Sequence, residues 1–206
     1  MNINDKKREV YGEIEVVKIP VDGSGAEEVI YSENNIICSG LGFTLAQLFG
    51  GVGSQNIADY TVDRFQVGTG GTGTDVSSYT KLKTPLTESQ YGANTNLVIT
   101  NSHFYDPTRS SGQSAAQQAF ALLPTTNRTQ ISNHSARFTL VLDENTANGH
   151  DIDEIGIYAK NPGGHNVNTS VLVAYKKLGS VVYKQHTADM YRSANFSAVF
   201  RWTINL

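Results

Sequence analysis

The chain has 206 residues, a formal net charge of −3, 39% apolar residues and only 17% charged ones. Much of the rest of the chain is Gly, Thr, Ser and Asn. These residues suit turns and the exposed faces of antiparallel sheets better than helical bundles. No cluster of Lys and Arg supports a nucleic-acid partner, and no apolar run reaches the roughly 18 residues of a membrane span. The single cysteine, Cys38, excludes an intrachain disulfide.

The N-terminal third predicts an arm, a hairpin and a helix. Residues 1–9 are charged and lack the apolar segment of a signal peptide, so we expect an arm on a protein made in a cytoplasm. Residues 10–21 and 27–37 predict two strands of a hairpin. Leucines at helical spacing over 39–49 predict a helix, with Ser39 as its N-cap and Gly50-Gly51 as its end.

The middle of the chain predicts two strands and a second short helix. Residues 61–67 and 96–105 have the composition of strands, and a glycine-rich turn follows the first of them. Residues 114–123 predict a short helix, which Ser114 would cap and Pro124 would end.

The C-terminal part predicts an antiparallel run of strands. Residues 137–142 and 152–159 are expected to pair as a hairpin, with Asn148-Gly149 as the turn. Residues 171–178, 181–192 and 195–206 would complete the sheet.

The last strand carries the clearest pattern in the sequence. Apolar side chains alternate with more polar ones along 195–206, and the only tryptophan, Trp202, lies on the apolar face. Such alternation predicts a half-buried strand in a central position. We expect Phe200 and Trp202 to form the packed seam, and the opposite face, with Val199 and Arg201, to be a candidate subunit contact.

These elements predict a mainly β protein, an antiparallel β-sandwich with one or two short helices. Without an internal repeat or linker, we expect one domain over 10–206 after the arm at 1–9. Residues 101–133 are a candidate insertion.

Three local patterns in the sequence are candidate binding sites. Residues 68–73 match the dinucleotide fingerprint G-x-G-x-x-G, but no helical stripe follows, which favours a turn. Acidic residues between Asp143 and Glu154 could hold a cation, although the EF-hand order fails. The ten tyrosines could stack on sugars, or could simply be good strand residues.

Scattered carboxylates leave glycoside hydrolysis as the last-ranked alternative, since acid pairs form across space, but no sequence motif indicates catalysis. The five histidines share no short ligand spacing, and no G-x-S-x-G elbow exists. We therefore assign no catalytic, cofactor-binding or metal-binding residue, and we expect a protein that is not an enzyme and needs no cofactor.

Several short motifs occur in a characteristic order. Asn34-Asn35-Ile36-Ile37 precedes the first helix, Val67-Gly68-Thr69-Gly70 follows a strand, and Leu82-Lys83-Thr84-Pro85-Leu86 comes next. Later come Glu154-Ile155-Gly156-Ile157-Tyr158 and the closing Trp202-Thr203-Ile204. In this order the chain resembles virion structural proteins of tailed bacteriophages, in the group attached to tails, baseplates, collars or fibres.

The resemblance implies a non-enzymatic virion component that is assembled in the host cytoplasm. It implies a homo-oligomer that contacts other tail, baseplate, collar or fibre proteins. The charge distribution and the lack of a long apolar run separately lead us to expect no nucleic-acid or membrane partner. A carbohydrate-binding β-sandwich for host attachment is the alternative, and it would take a glycan as its partner. The family carries no catalytic residues to transfer.

Overall fold

The structure is a computed structural model, which describes residues 10–20, 25–71, 77–92, 97–104, 116–143, 146–147, 149–164, 169–179 and 196–206. Ten strands dominate it, in the order β1 Tyr11–Pro20, β2 Glu28–Ile37, β3 Val62–Gly68, β4 Leu97–Phe104, β5 Ala116–Leu122, β6 Arg128–Ser132, β7 Ser135–Leu142, β8 Glu154–Ala159, β9 Thr169–Lys177 and β10 Phe196–Asn205. The helices are α1 Ser39–Gly50 and α2 Glu88–Tyr91, and two short 3₁₀ turns lie at Ile57–Tyr60 and Thr125–Asn127.

All ten strands belong to one sheet, in the order β4-β5-β3-β8-β9-β2-β1-β10-β7-β6. The expected N-terminal hairpin is confirmed, since β1 and β2 pair antiparallel. The terminal strand β10 lies between β1 and β7 and is therefore interior, as the alternation predicted. The mainly antiparallel β class is confirmed.

The sheet curls on itself around its main core. Four strands separate β3 from β10 in the sheet order, yet the rings of Phe65 and Trp202 lie with centroids 6.0 Å apart. Ile155 and Ile157 of β8 belong to the same buried cluster as Phe200 and Trp202. Because one continuous sheet encloses this core, the two separate sheets of a sandwich are not confirmed.

A second, smaller core lies on the other face of β8 and β9. It contains Phe104, Phe120 and Tyr158, whose rings form tilted and edge-on contacts with one another, and Tyr175, whose ring meets Tyr79 edge-on. A short parallel pairing of β4 with β9 closes a ring of five strands, β4-β5-β3-β8-β9. Strands β8 and β9 are therefore buried on both faces.

Helix α1 is confirmed, with a different start from the one expected. Cys38 is the N-cap and makes no side-chain capping bond, whereas Ser39 is the first helical residue. Gly51 ends the helix in the left-handed conformation, with φ 61°, as the glycine pair predicted. The helix packs closely on β9, since a Cβ at Gly40 would lie 2.1 Å from the Leu172 carbonyl oxygen.

The prediction of a helix at 114–123 is wrong. Residues 116–122 form β5, which pairs with β3 on one side and β4 on the other. Ala119 and Ala121 join the main core while Phe120 joins the second one, so both faces of this strand are buried. That tertiary placement outweighs the helical preference of an alanine-rich segment.

The hairpin expected between 137–142 and 152–159 is also wrong. Both segments are strands, but β7 pairs with β10 and β6, whereas β8 pairs with β3 and β9. Strand β6 was not predicted from the sequence. Asn148 and the strand expected at 181–192 lie outside the described residues. No helix in the described part of the chain is long and apolar enough to cross a membrane.

Candidate functional site

In the described part of the chain, a buried polar arrangement surrounds the carboxylate of Glu154. This residue begins β8 and is 0% exposed. Its Oε1 accepts a hydrogen bond from the Thr84 amide at 2.7 Å, and its Oε2 accepts one from the Lys83 amide at 3.0 Å. The Tyr175 hydroxyl donates to Oε2 at 3.2 Å. The carboxylate therefore holds an irregular segment against the sheet.

Two glycines of the segment 68–71 leave room for this carboxylate. A Cβ at Gly68 would lie 2.4 Å from the Thr84 carbonyl oxygen, and one at Gly70 would lie 2.7 Å from Glu154 Oε1. The Thr69 amide also donates to the Thr84 carbonyl at 2.9 Å. We call residues 68–71, 83–85 and Glu154 the Glu154 clasp.

The clasp explains the apparent dinucleotide fingerprint at 68–73. In the fingerprint, the backbone amides meet a pyrophosphate at the start of a helix. Here the Thr69 amide is already bonded to Thr84, and the next described helix is α2, at Glu88–Tyr91. The glycines at 68 and 70 serve close packing instead. Residues 72–76 lie outside the described part of the chain.

Asp153 lies next to the clasp in an unfavourable electrostatic position. Its amide donates to the Gly68 carbonyl at 2.8 Å, and its carbonyl accepts from the Leu178 amide at 2.7 Å. Its Oδ1 atom is buried without a hydrogen-bond partner among the described residues. Burial raises the pKa of this carboxyl, nearby Asp151 raises it further, and Lys177 opposes them.

The acidic segment expected as a candidate cation site is only partly described. Asp143 accepts a hydrogen bond from the Thr146 hydroxyl at 2.7 Å, while 144–145 and 148 lie outside the described residues. Within the described ranges, no group of three or more His, Cys, Asp or Glu side chains could hold a metal ion.

The tyrosines form little exposed stacking surface in the described part of the chain. Tyr91, Tyr158 and Tyr175 are core residues, whereas Tyr11 is half exposed at 50%. The hydroxyls of Tyr91 and Tyr158 accept hydrogen bonds from the Val67 and Leu82 amides. Burial raises the pKa of both phenols far above the ordinary value, so they stay protonated.

A groove of about 430 Å³ lies between the start of α2 and β5. Its walls carry the hydroxyl and amide groups of Thr87, Ser89, Gln117 and Gln118. Behind it, fully buried Gln66 donates to Gln118 Oε1 and to the Ala119 carbonyl, both at 3.2 Å. The groove can offer hydrogen bonds to a polar ligand.

Most residues of the Glu154 clasp belong to the ordered sequence motifs, but their mutual contacts could not be predicted from those motifs. Nothing in the local sequence indicates that Glu154 reaches a segment about 70 positions earlier. Acidic residues are seldom fully buried, so a glutamate at the start of a strand would ordinarily be expected in solvent.

The chain was compared with protein-family models, with curated proteins and with solved structures, and no match was found in any of the three.

Proposed function

We propose that this chain is a non-enzymatic structural subunit of a tailed-bacteriophage virion. It oligomerises in the tail, baseplate or collar and joins neighbouring subunits or fibres. The proposal starts from the ordered motifs, which resemble those of such proteins over most of the chain.

The observation that carries the proposal is where those motifs lie in the fold. The V-G-T-G turn, the L-K-T-P-L segment and the E-I-G-I-Y strand converge on the Glu154 clasp, and the closing W-T-I segment lies in the main core. Motifs that serve folding in this way are expected in a family whose members share architecture without sharing a reaction.

The chemistry of the clasp supports the same proposal. Glu154 has 0% exposure and three donors to its two oxygens, so a substrate has no access to it. Such a carboxylate positions a loop. The two buried phenols, with raised pKa values, are likewise unsuited to proton transfer near neutral pH.

The test is the protein content of phage particles released by cells that encode the chain. Particles purified through two density gradients should contain the chain, and particles made after deletion of its gene should lack infectivity or a tail structure. A chain that stays with free host protein, and never with particles, contradicts the proposal.

A carbohydrate-binding role for host attachment is the second candidate, and the polar groove favours it. Hydroxyl and amide groups such as those of Thr87, Gln117 and Gln118 suit hydrogen bonding to sugar hydroxyls. A glycan array probed with the full chain tests this role. Glycan binding by the wild type that is lost in Gln118→Ala would support the carbohydrate-binding role. The absence of binding to any host surface glycan would contradict it.

A further inference from the structure

Strand β5 separates from β3 partway along its length. The Leu123 amide donates to the Asp63 carbonyl at 2.7 Å, and the pairing of the two strands runs as far as Phe65. Bonded pairs recur at every second residue of an antiparallel ladder, so the bonded pair after that of Phe65 would join Val67 to Ala119. In the structure, Val67 bonds elsewhere.

Val67 bonds to the segment that leads into α2. Its amide donates to the Tyr91 hydroxyl at 3.0 Å, and its carbonyl accepts from the Leu86 amide at 2.9 Å. The next residue, Gly68, forms a bridge with Pro85. This segment therefore takes the place of β5 beside β3, and the groove of about 430 Å³ lies between the segment and β5.

The groove exposes backbone groups of β5. Alternate residues of a strand direct their N–H and C=O groups to the same side, so Gln117 and Ala119 share the side of Leu123, which faces β3. At Gln117 and Ala119 no described strand pairs with that side, and both residues line the groove. The Ala119 carbonyl accepts from Gln66 Nε2, which leaves the two amides and the Gln117 carbonyl for an occupant. An extended peptide is the ligand that such a strand side takes.

Gln66 also sets the direction of the Gln118 side chain. The Nε2 group of Gln66 donates to the Ala119 carbonyl and to Gln118 Oε1, both at 3.2 Å. The opposite orientation of the Gln66 amide would place its oxygen against the Ala119 carbonyl oxygen, so the donor points there. Because Gln118 Oε1 meets Gln66, Gln118 Nε2 is the group that remains for the groove. The backbone and side-chain oxygens of a peptide suit this donor.

The lining of the groove favours a peptide over a sugar. No aromatic ring lies among the described residues that line it, so a sugar ring has no stacking surface there. Pro85, Leu86 and Ala119 provide apolar contacts, and Glu88 is the one charged residue of the described lining. The groove therefore suits an extended segment that alternates apolar with amide side chains and carries positive charge nearby.

The arm at residues 1–9 has this composition. Its first four residues, Met-Asn-Ile-Asn, alternate with the period of two that is typical of a strand. The basic run Lys6-Lys7-Arg8 follows and is opposite in sign to the exposed carboxylate of Glu88. The arm itself lies outside the described residues.

The face first expected as a subunit contact is less suitable. Val199 is only 5% exposed, and Arg201 forms an ion pair with Glu27. We therefore propose that residues 1–9 of one copy add as a strand to β5 in the groove of a neighbouring copy. Each copy gives one arm and receives one, so the contact is head-to-tail and generates a ring when it closes. The inference names the self-contact of the proposed assembly subunit, and rests on that proposal.

The test measures the mass of the full chain by light scattering after size exclusion, from about 1 to 100 µM. The wild type should be an oligomer, and an excess of a synthetic peptide of residues 1–9 should dissociate it. Gln117→Pro removes one backbone donor that faces the groove, so it should raise the dissociation constant by roughly tenfold. Gln117→Ala is the matched control, since it keeps the amide and should stay within about twofold of the wild type.

A change of charge provides a second variant at an exposed position. Glu88→Lys should weaken association through repulsion of the basic run, and Lys6→Glu, Lys7→Glu and Arg8→Glu in the same chain should restore it. Circular dichroism must show the same fold in all variants. Glu88→Lys with wild-type affinity, or a charge-reversed arm that restores nothing, overturns the docking of the arm in this groove. Equal weakening by Gln117→Pro and Gln117→Ala overturns the added strand.

A wild-type monomer throughout the concentration range overturns the self-contact, and so does an oligomer that the peptide leaves intact. A host glycan whose binding is lost in Gln118→Ala would assign the groove to a sugar, which also overturns the inference. The proposed virion role is judged separately by the content of purified particles. A chain found in particles, with an oligomer indifferent to the peptide, would refute only the contact through the arm.

Discussion

At the scale of single residues, Glu154 matters most because three donors depend on it. Replacing it with Ala removes the acceptor of the Lys83 and Thr84 amides and of the Tyr175 hydroxyl. We expect Glu154→Ala to lower the free energy of unfolding by about 2–4 kcal/mol, because buried donors lose their partner.

Urea unfolding followed by tryptophan fluorescence measures this loss. Glu154→Gln is the matched variant, since it keeps the shape and one acceptor oxygen, and it should cost less than Glu154→Ala. An Ala variant with the wild-type midpoint and slope would show that the clasp contributes nothing to stability.

Alanine substitutions at two glycines should change the stability of the protein in opposite directions. A Cβ at Gly68 would lie 2.4 Å from a backbone carbonyl, so Gly68→Ala should destabilise the protein by about 1–3 kcal/mol through overpacking. Gly42 lies inside α1 with open space around it, so Gly42→Ala should gain up to about 1 kcal/mol of helix stability.

Thermal unfolding of the two variants side by side checks both signs at once. The prediction fails if the two alanines shift the melting temperature in the same direction.

Asp153 makes stability depend on pH in a definite direction. Its pKa is raised from the ordinary value of 3.8, so the folded state binds the proton more tightly than the unfolded chain does. The stabilising contribution of the Asp153 carboxyl is therefore fully present below pH 3.8. It is lost as the pH rises through the higher pKa that this carboxyl has in the folded protein. Asp153→Asn removes the charge at every pH.

We expect Asp153→Asn to melt at a higher temperature than the wild type at pH 7, with the difference narrowing as the pH approaches 3. Melting curves across that range provide the measurement. A variant less stable than the wild type at pH 7, or a gap independent of pH, would show that the buried charge is not the cause.

At the scale of elements, β10 joins the β7–β6 edge of the curled sheet to β1. Trp202 is 0% exposed, contacts Phe65 across the core and pairs with Ile14 and Phe138 on the neighbouring strands. Trp202→Ala should cost about 3–5 kcal/mol, the range for removing a large buried aromatic side chain.

Chemical denaturation monitored by circular dichroism measures this cost, with Val141→Ala on adjacent β7 as the control. Val141 is 42% exposed, so its truncation should change stability by no more than about 0.5 kcal/mol. Trp202→Phe should cost less than Trp202→Ala, since it also removes an indole N–H that has no partner among the described residues. A Trp202→Ala variant of normal stability that fails to assemble would reverse the assignment of the two faces.

The elements also show how far the sequence predicts this fold. The alternation in β10 could be recognised because one face of that strand lies on the main core, and Gly51 marked the end of α1. Strand β5 was misread because both of its faces are buried, which removes the period of two and leaves only helix-favouring alanines.

Pairing was harder to predict than the strands themselves. Strands β7 and β8 are consecutive, but β7 joins β10 while β8 joins β3, because the curled sheet brings distant segments together. The Glu154 clasp is hidden for the same reason, since its two sides are about 70 residues apart in the chain. Local patterns do not encode such contacts.

At the scale of the whole molecule, the features agree with a building unit. The buried carboxylate is used for folding, and the described phenols are core residues or half-buried, except exposed Tyr11. Among the described residues, the most exposed large apolar side chains are Phe49 in α1 and Val52 and Ile57 after it. We expect the function to reside in the surface that this fold presents to its neighbours.

The most direct test of this account measures the copy number of the chain in purified phage particles. Quantitative mass spectrometry, with a known tail protein as the reference, gives this number. We expect a fixed ratio that corresponds to a ring or collar of identical copies. A chain that is absent, or present only in trace amounts that vary between preparations, would contradict the account.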